Sequence, residues 1–225
     1  MAKRYKAVIF DLDGTLLNTL DDLAAAGNHT LQAMGFAPRP VDDYRTLVGN
    51  GIPVLVQRML PPGHKGDASQ ALALQLFRRY YSAHKADATA PYPGIPALLR
   101  RLQAAGVPMG VVSNKDDALA KDVVARYFPG LFRPQDVCGR REGIPPKPDP
   151  ALVEAMCRNW GLAAADVLYA GDSNVDVQTA RAAGMDCCGV LWGFRTREEL
   201  AGEGAAHLAA CAGDLAALLP APAAG

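Results

Sequence analysis

Asp11 and Asp13 stand one residue apart, followed by Gly14-Thr15, and this pairing can divide nucleophilic from acid–base work. One carboxylate can attack phosphorus, while the other lends a proton to the leaving oxygen and later takes one from water. Gly14 permits a sharp turn after the pair. Alone, Asp-x-Asp-Gly equally describes an acidic turn after a strand. A calcium loop does not fit, because it wants glycine at its sixth position and glutamate at its twelfth. Counted from Asp11, glycine is fourth and Asp22 is twelfth.

A second acidic cluster lies in Gly171-Asp172-Ser173-Asn174-Val175-Asp176. Ser173 or Asn174 can cap a following helix, and acidic residues in a first turn suit the helix dipole. Neither need requires several carboxylates at one place, whereas hard oxygen donors in that number invite Mg2+. Lys147 sits in Pro145-Pro146-Lys147-Pro148-Asp149-Pro150, where the prolines stiffen the backbone and lower the entropy lost in placing it. A fixed ammonium there can offset phosphoryl charge. Ser113 can donate to a phosphoryl oxygen and Asn114 can support the loop, although Ser-Asn after a strand is also an ordinary turn.

These residues follow short apolar runs that read as strands buried on both faces. Residues 7–10 lead into Asp11, 107–112 into Ser113-Asn114, 167–170 into Gly171-Asp172, and 187–191 into Trp192-Gly193. Helical patterns over 96–105, 116–128, 150–160 and 175–183 separate them. The alternation predicts an α/β fold, a parallel sheet with right-handed crossovers and helices on both faces. In such a sheet ligands bind beyond the carboxyl ends of the strands, so residues distant in sequence meet at one edge.

The stretch 19–90 breaks the pattern, with helical periodicity and no strand. Leu20, Leu23, Leu31 and Met34 suggest one helix ended by Gly35; Val54, Leu55, Arg58 and Met59 a second; residues 72–81 a third. The expected organisation is a core domain over 1–18 and 91–225 with a helical cap domain inserted at 19–90. The tail 220–225 is expected to fray.

Half of the 225 residues are apolar, enough for a substantial core. Lys plus Arg and Asp plus Glu both total 23, so no net charge points to nucleic acid or a membrane surface. The apolar run before Asp11 is too short for a signal peptide, and no run is long enough for a membrane helix. Five cysteines without metal-ligand spacing read as reduced thiols in a cytoplasmic protein. The expected partner is a small phosphorylated metabolite, with the chain a monomer or homodimer. His29, His64, His84 and His207 match no catalytic pattern.

Taken in order, DLDGT, VVSNK, KPDP and GDSNVD resemble the four motifs of the haloacid dehalogenase-type phosphatases, over Val8 to about Gly184. The insertion falls where such enzymes carry a cap. Val48-Gly49-Asn50-Gly51, Arg79-Tyr80-Tyr81 and KPDPALVEAM are similar to the bacterial phosphoglycolate phosphatases. The resemblance implies a Rossmann-like sheet and an Mg2+-dependent hydrolase forming an aspartyl phosphate. Asp11 would be nucleophile and metal ligand, and Asp13 would be acid–base and bind metal through its carbonyl. Asp172 would complete the metal shell, and Asp176 would support the metal or orient its neighbours. Ser113 and Lys147 would hold the phosphoryl group. Ser113 replaces a common Thr and keeps the hydroxyl; Asn18 replaces a common Asp outside the attacking pair. In the cap, Gly49-Asn50-Gly51 is a candidate substrate loop or a plain interhelical turn, and Arg45 a candidate for a substrate carboxylate.

With 2-phosphoglycolate as leading substrate, pyrophosphate, sugar phosphates and nucleoside monophosphates stay open. A phosphomutase would share every core motif. A phosphonatase would need a Schiff-base lysine, and no motif marks Lys65 or Lys85. A dehalogenase typically lacks the second Asp. A receiver-like domain carries its phospho-Asp after a later strand, and an inactive binding module would not need the complete set.

Overall fold

Alternation along β1 sets the layers of the core. Val8 and Phe10 pack into one apolar cluster, Ala7 and Ile9 into another, and all four are buried. Successive strand residues point to opposite faces, so a strand apolar at every position needs cover on both. The computed structural model describes residues 4–221, and the fraying expected over 220–225 lies outside them from 222 onward.

Among the described residues the strands are β1 (Ala7–Phe10), β2 (Leu17–Asn18), β3 (Ala90–Pro91), β4 (Met109–Asp116), β5 (Val137–Arg140), β6 (Val167–Gly171), β7 (Asp186–Val190) and β8 (His207–Ala209). The α-helices are α1 (Leu20–Ala33), α2 (Tyr44–Leu47), α3 (Ile52–Met59), α4 (Asp67–His84), α5 (Ile95–Ala104), α6 (Asp117–Tyr127), α7 (Ala151–Trp160), α8 (Asn174–Ala182), α9 (Arg197–Glu203) and α10 (Ala212–Ala217).

Six strands form one parallel sheet in the order β5-β4-β1-β6-β7-β8. Leu98, Leu99 and Leu102 of α5, Val123 and Val124 of α6, and Leu215 of α10 cover the Val8–Phe10 face. Leu152, Val153 and Met156 of α7, Val177 of α8 and Leu200 of α9 cover the other. The parallel sheet and the helices α5 to α8 on its two faces are those the alternating pattern predicts, whereas α9 and α10 were not expected.

Three strands of this sheet differ from expectation. The strand expected to stop before Ser113 continues to Asp116, its register with β5 shifting between Val112 and Asp116. The edge strands β5 and β8 were not expected; one is Val-Cys-Gly-Arg and the other only three residues, too short and mixed to show a periodic pattern.

The chain divides into two compact units, Met1–Leu17 with Pro91–Gly225, and Asn18–Ala90. The second unit is built from α1 to α4. Its interior holds Leu23, Leu31, Tyr44, Leu55, Val56, Met59, Phe77 and Tyr81. Gly27 leaves room for Tyr44, since a Cβ there would lie 2.3 Å from its hydroxyl oxygen. No helix among the described residues is long and apolar enough to cross a membrane.

Candidate active site

The sheet order places three chemistry-bearing segments side by side. From β1 the chain moves outward through β4 to β5, then returns to the other side of β1 for β6, β7 and β8. Such a reversal opens a crevice beyond the strands' carboxyl ends. Asp11 follows β1, Ser113 to Lys115 lie in the last half of β4, and Asp172 follows β6.

Lys147, from the segment between β5 and α7, joins them. Its buried Nζ donates to Asp11 Oδ1 at 2.8 Å, to Asp176 Oδ1 at 2.7 Å and to the Tyr169 hydroxyl at 3.0 Å. Asn114 fixes the lysine's backbone in both directions: its Oδ1 accepts from the Lys147 N–H at 2.9 Å, and its Nδ2 donates to the Lys147 carbonyl at 3.2 Å. Asn114 therefore holds the segment that carries the lysine.

Asp172 and Asp176 are held differently. Asp172 accepts from the Thr15 hydroxyl at 3.0 Å and from the Phe194 N–H at 2.8 Å. Asp176 Oδ1 takes Lys147 and the Tyr169 hydroxyl (3.2 Å), while its Oδ2 accepts from the Ser173 N–H at 3.0 Å and hydroxyl at 2.6 Å. Both oxygens of Asp176 thus serve protein donors at the start of α8. Glycines make room for these carboxylates. A Cβ at Gly14, whose φ is +89°, would lie 2.3 Å from Asp172 Oδ2, and one at Gly193 would lie 2.2 Å from the Asp172 Cβ. A Cβ at Gly171 would lie 2.3 Å from that of Asp176.

Removing these charges from water has a cost visible in their acidities. Burial pushes the Asp11 carboxyl up to about 7, against the pull of the Lys147 ammonium and with a further push from Asp176 and Asp13. Burial, then the charges of Asp176 and Asp11, hold Asp172 well above the usual carboxylate range. Burial opposes the charge on Lys147, but Asp11 and Asp176 outweigh it and hold the ammonium firmly protonated.

Asp11, Asp172 and Asp176 can each offer an oxygen such that the three atoms lie within 4.8 Å of one another. Three carboxylates, Asp11, Asp13 and Asp176, pair with the ammoniums of Lys147 and Lys115, while Asp172 is held by the neutral donors of Thr15 and Phe194, so four acids face two ammoniums. Surplus negative charge on hard oxygens, with burial favouring protonation, is a donor set that fits a divalent cation.

Ser113 is buried, its Oγ accepting from the Lys115 N–H at 3.3 Å. The Asp13 carboxylate meets Lys115, a residue that the motif reading passed over. Tyr169 and Thr15 were missed too: a tyrosine inside an apolar strand reads as core, and a threonine after a glycine reads as turn. Trp192 Nε1 donates to the Thr15 carbonyl at 2.9 Å and steadies that turn.

Gly49, Asn50, Gly51 and Arg45 belong to the other unit. Gly49 and Gly51 adopt φ values of 123° and 83° in the turn between α2 and α3. Arg45 Nε donates to Asp42 Oδ1 at 3.2 Å.

The haloacid dehalogenase-like hydrolase family profile matches residues 8–190. A phosphoglycolate phosphatase of Pseudomonas syringae pv. syringae is 36% identical over 220 residues, covering 96% of this chain and 79% of the relative. One from Cereibacter sphaeroides is 38% identical over 191 residues, covering 84% and 86%. A crystal structure from Lactobacillus delbrueckii subsp. bulgaricus, provisionally named phosphoglycolate phosphatase, superposes with a TM-score of 0.89 at 32% identity. It covers 95% of this chain and 97% of its own.

Proposed function

The chain belongs to the haloacid dehalogenase-like hydrolases, and from that premise we propose that it is an Mg2+-dependent phosphatase of small phosphate monoesters, with 2-phosphoglycolate as substrate. The observation that carries the reading is the junction of Asp11, Lys147 and Asp176 beyond the ends of β1 and β6. A nucleophile with an ammonium against it suits attack on an anionic phosphoryl group. The names of the relatives supply the substrate.

Asp11 attacks phosphorus in line, and the bond from phosphorus to the ester oxygen breaks as the aspartyl phosphate forms. Asp13 gives its proton to the departing oxygen. It then takes a proton from the water that attacks the same phosphorus, and the bond to Asp11 breaks to return the carboxylate. Lys147 balances phosphoryl charge throughout, and Ser113 donates to a phosphoryl oxygen. Asp11 and Asp172, with the main-chain carbonyl of Asp13, hold Mg2+; Asp176 supports that set through Lys147 and the start of α8. When bound, Mg2+ supplies charge neutralisation for the phosphoryl oxygens.

Residues 19–90 serve as the cap that reads the leaving group, with Gly49-Asn50-Gly51 as substrate loop and Arg45 for the carboxylate. A cytoplasmic setting suits the free cysteines. The test is phosphate release from a panel of monoesters with Mg2+, beside Asp11→Asn and EDTA controls. The expected result is 2-phosphoglycolate first by kcat/KM, with both controls inactive. Another monoester in first place would overturn the substrate alone. Undiminished turnover by Asp11→Asn would overturn the mechanism.

A further inference from the structure

Lys115 is a lysine almost stripped of water, its side chain 2% exposed, beside a carboxylate that is 14% exposed. Its Nζ donates to Asp13 Oδ1 at 2.9 Å and to Oδ2 at 3.1 Å. A single contact leaves a carboxylate free to turn about its Cβ–Cγ bond. Two contacts to one ammonium fix the plane. A lysine whose role is solubility keeps its charge in water, and burying that charge is costly unless a partner compensates.

The backbone around Lys115 is built to a set path. Register between β4 and β5 slips after Val112 and resumes at Asp116 opposite Arg140. Within the slip, the Lys115 N–H donates to Ser113 Oγ at 3.3 Å. Gly139 of β5 passes so close that a Cβ there would lie 2.6 Å from the Lys115 carbonyl oxygen and 2.5 Å from the Asp117 Cα. The Gly139 N–H also donates to Asp117 Oδ1 at 2.9 Å. The irregular end of β4 thus delivers a lysine to Asp13 as the segment before α7 delivers one to Asp11.

We propose that Lys115 is a positioning residue for Asp13, its ammonium holding both oxygens of that carboxylate in the orientation from which it serves the leaving oxygen and the attacking water. The inference rests on the acid–base role given to Asp13 above. It extends to this site the general logic by which a third group orients an acid–base side chain. Lys147 and Lys115 then divide their work, the first at the phosphoryl group and its nucleophile, the second at the proton carrier.

The test compares an alkyl phosphate monoester, whose leaving oxygen needs a proton, with p-nitrophenyl phosphate, whose leaving group departs without one. kcat/KM reads the transition state of the first transfer relative to free enzyme and substrate. Lys115→Met is expected to lower kcat/KM for the alkyl ester by about tenfold to a hundredfold, the lower part of the range for acid–base catalysis. The loss on p-nitrophenyl phosphate is expected to be several-fold smaller, with the inhibition constant of inorganic phosphate nearly unchanged. Lys115→Arg should recover part of the alkyl-ester rate. In an Asp13→Asn background, Lys115→Met should cost little more, because the interaction is already gone.

Equal losses on both esters with weaker phosphate inhibition would place Lys115 on the phosphoryl group and overturn the proposal. So would a full additional loss in the Asp13→Asn background. A thermal melt checks each variant; if Lys115→Met does not fold, Lys115→Gln takes its place under the same criteria. Both outcomes presuppose a wild type that turns over and an inactive Asp11→Asn. If wild type cleaves neither ester, the phosphatase reading fails and this inference falls with it.

Discussion

Tyr169 shows how a side chain inside a strand can act on chemistry at its end. Its hydroxyl accepts from Lys147 and lies within hydrogen-bond reach of Asp176 Oδ1 and of the Val112 carbonyl at 3.3 Å. The ring packs in the apolar cluster on the Ala7 and Ile9 face of the sheet, so Tyr169→Phe keeps the packing and deletes one polar atom. Hydrogen bonds to charged groups are each worth ~1.5–3 kcal/mol, and this one helps fix the ammonium beside Asp11. The expected result is a loss of about tenfold in kcat, the equivalent of ~1.4 kcal/mol. Urea unfolding should show a stability loss of similar size. Unchanged kcat beside reduced stability would make the tyrosine a packing residue alone. Asp11, Asp13, Ser113, Lys147, Asp172 and Asp176 were legible because each is a polar residue where an apolar run ends or prolines gather. Tyr169, Thr15 and Lys115 were not, since their roles come from neighbours up to 157 positions away, as between Thr15 and Asp172.

Among the elements, α1 carries a carboxylate that closes the helical unit on itself. Asp22 Oδ1 accepts from the Ala88 N–H at 2.9 Å, and its Oδ2 accepts from the Thr89 N–H at 2.9 Å and hydroxyl at 2.6 Å. These bonds tie the first turn of α1 to the segment leading into β3, which joins the two ends of residues 18–90. Asp22→Ala would orphan two backbone donors and a hydroxyl, at a cost of ~1–3 kcal/mol for the buried groups left unpaired. Hydrogen exchange should report it locally, with the amides of Ala88 and Thr89 losing protection while those of β1 and β6 keep theirs. Uniform loss across both units would show that Asp22 supports global folding instead. The long helices of this unit were legible from Leu23, Leu31, Leu55 and Met59, whose spacing matches a helical face. The four-residue α2 was not, since it is too short for any period to repeat. In the main sheet β1, β4, β6 and β7 announced themselves as apolar runs. Edge strands β5 and β8 bury fewer residues and carry Gly139 and His207; pairing with a neighbour, rather than composition, makes them strands.

At the scale of the whole molecule, the buried carboxylates couple stability, pH and cation binding. Asp11 has its acidity shifted from an ordinary value of 3.8 to about 7 on folding, chiefly by burial, and Asp172 moves in the same direction. A raised carboxyl means that the folded state keeps a proton that the unfolded chain has already released. The cation-free protein should therefore lose stability from these groups as pH rises above about 4, with the part due to Asp11 levelling off above about 7, where it ionises in both states. A divalent cation competes with that proton and binds only the folded arrangement, so its stabilisation should grow over the same window. Melting curves at pH 5, 6, 7 and 8, each in EDTA and in excess Mg2+, would show the two curves diverging as pH rises, with the part due to Asp11 complete above about 7. Asp11→Asn cannot take up the proton, so in that variant the gap should be smaller and its rise over this window reduced. An Mg2+ shift of equal size at pH 5 and pH 8 would mean that cation binding does not involve these carboxylates. Their shared burial, built by Gly14, Gly171 and Gly193 as much as by the acids themselves, would then have to serve the fold.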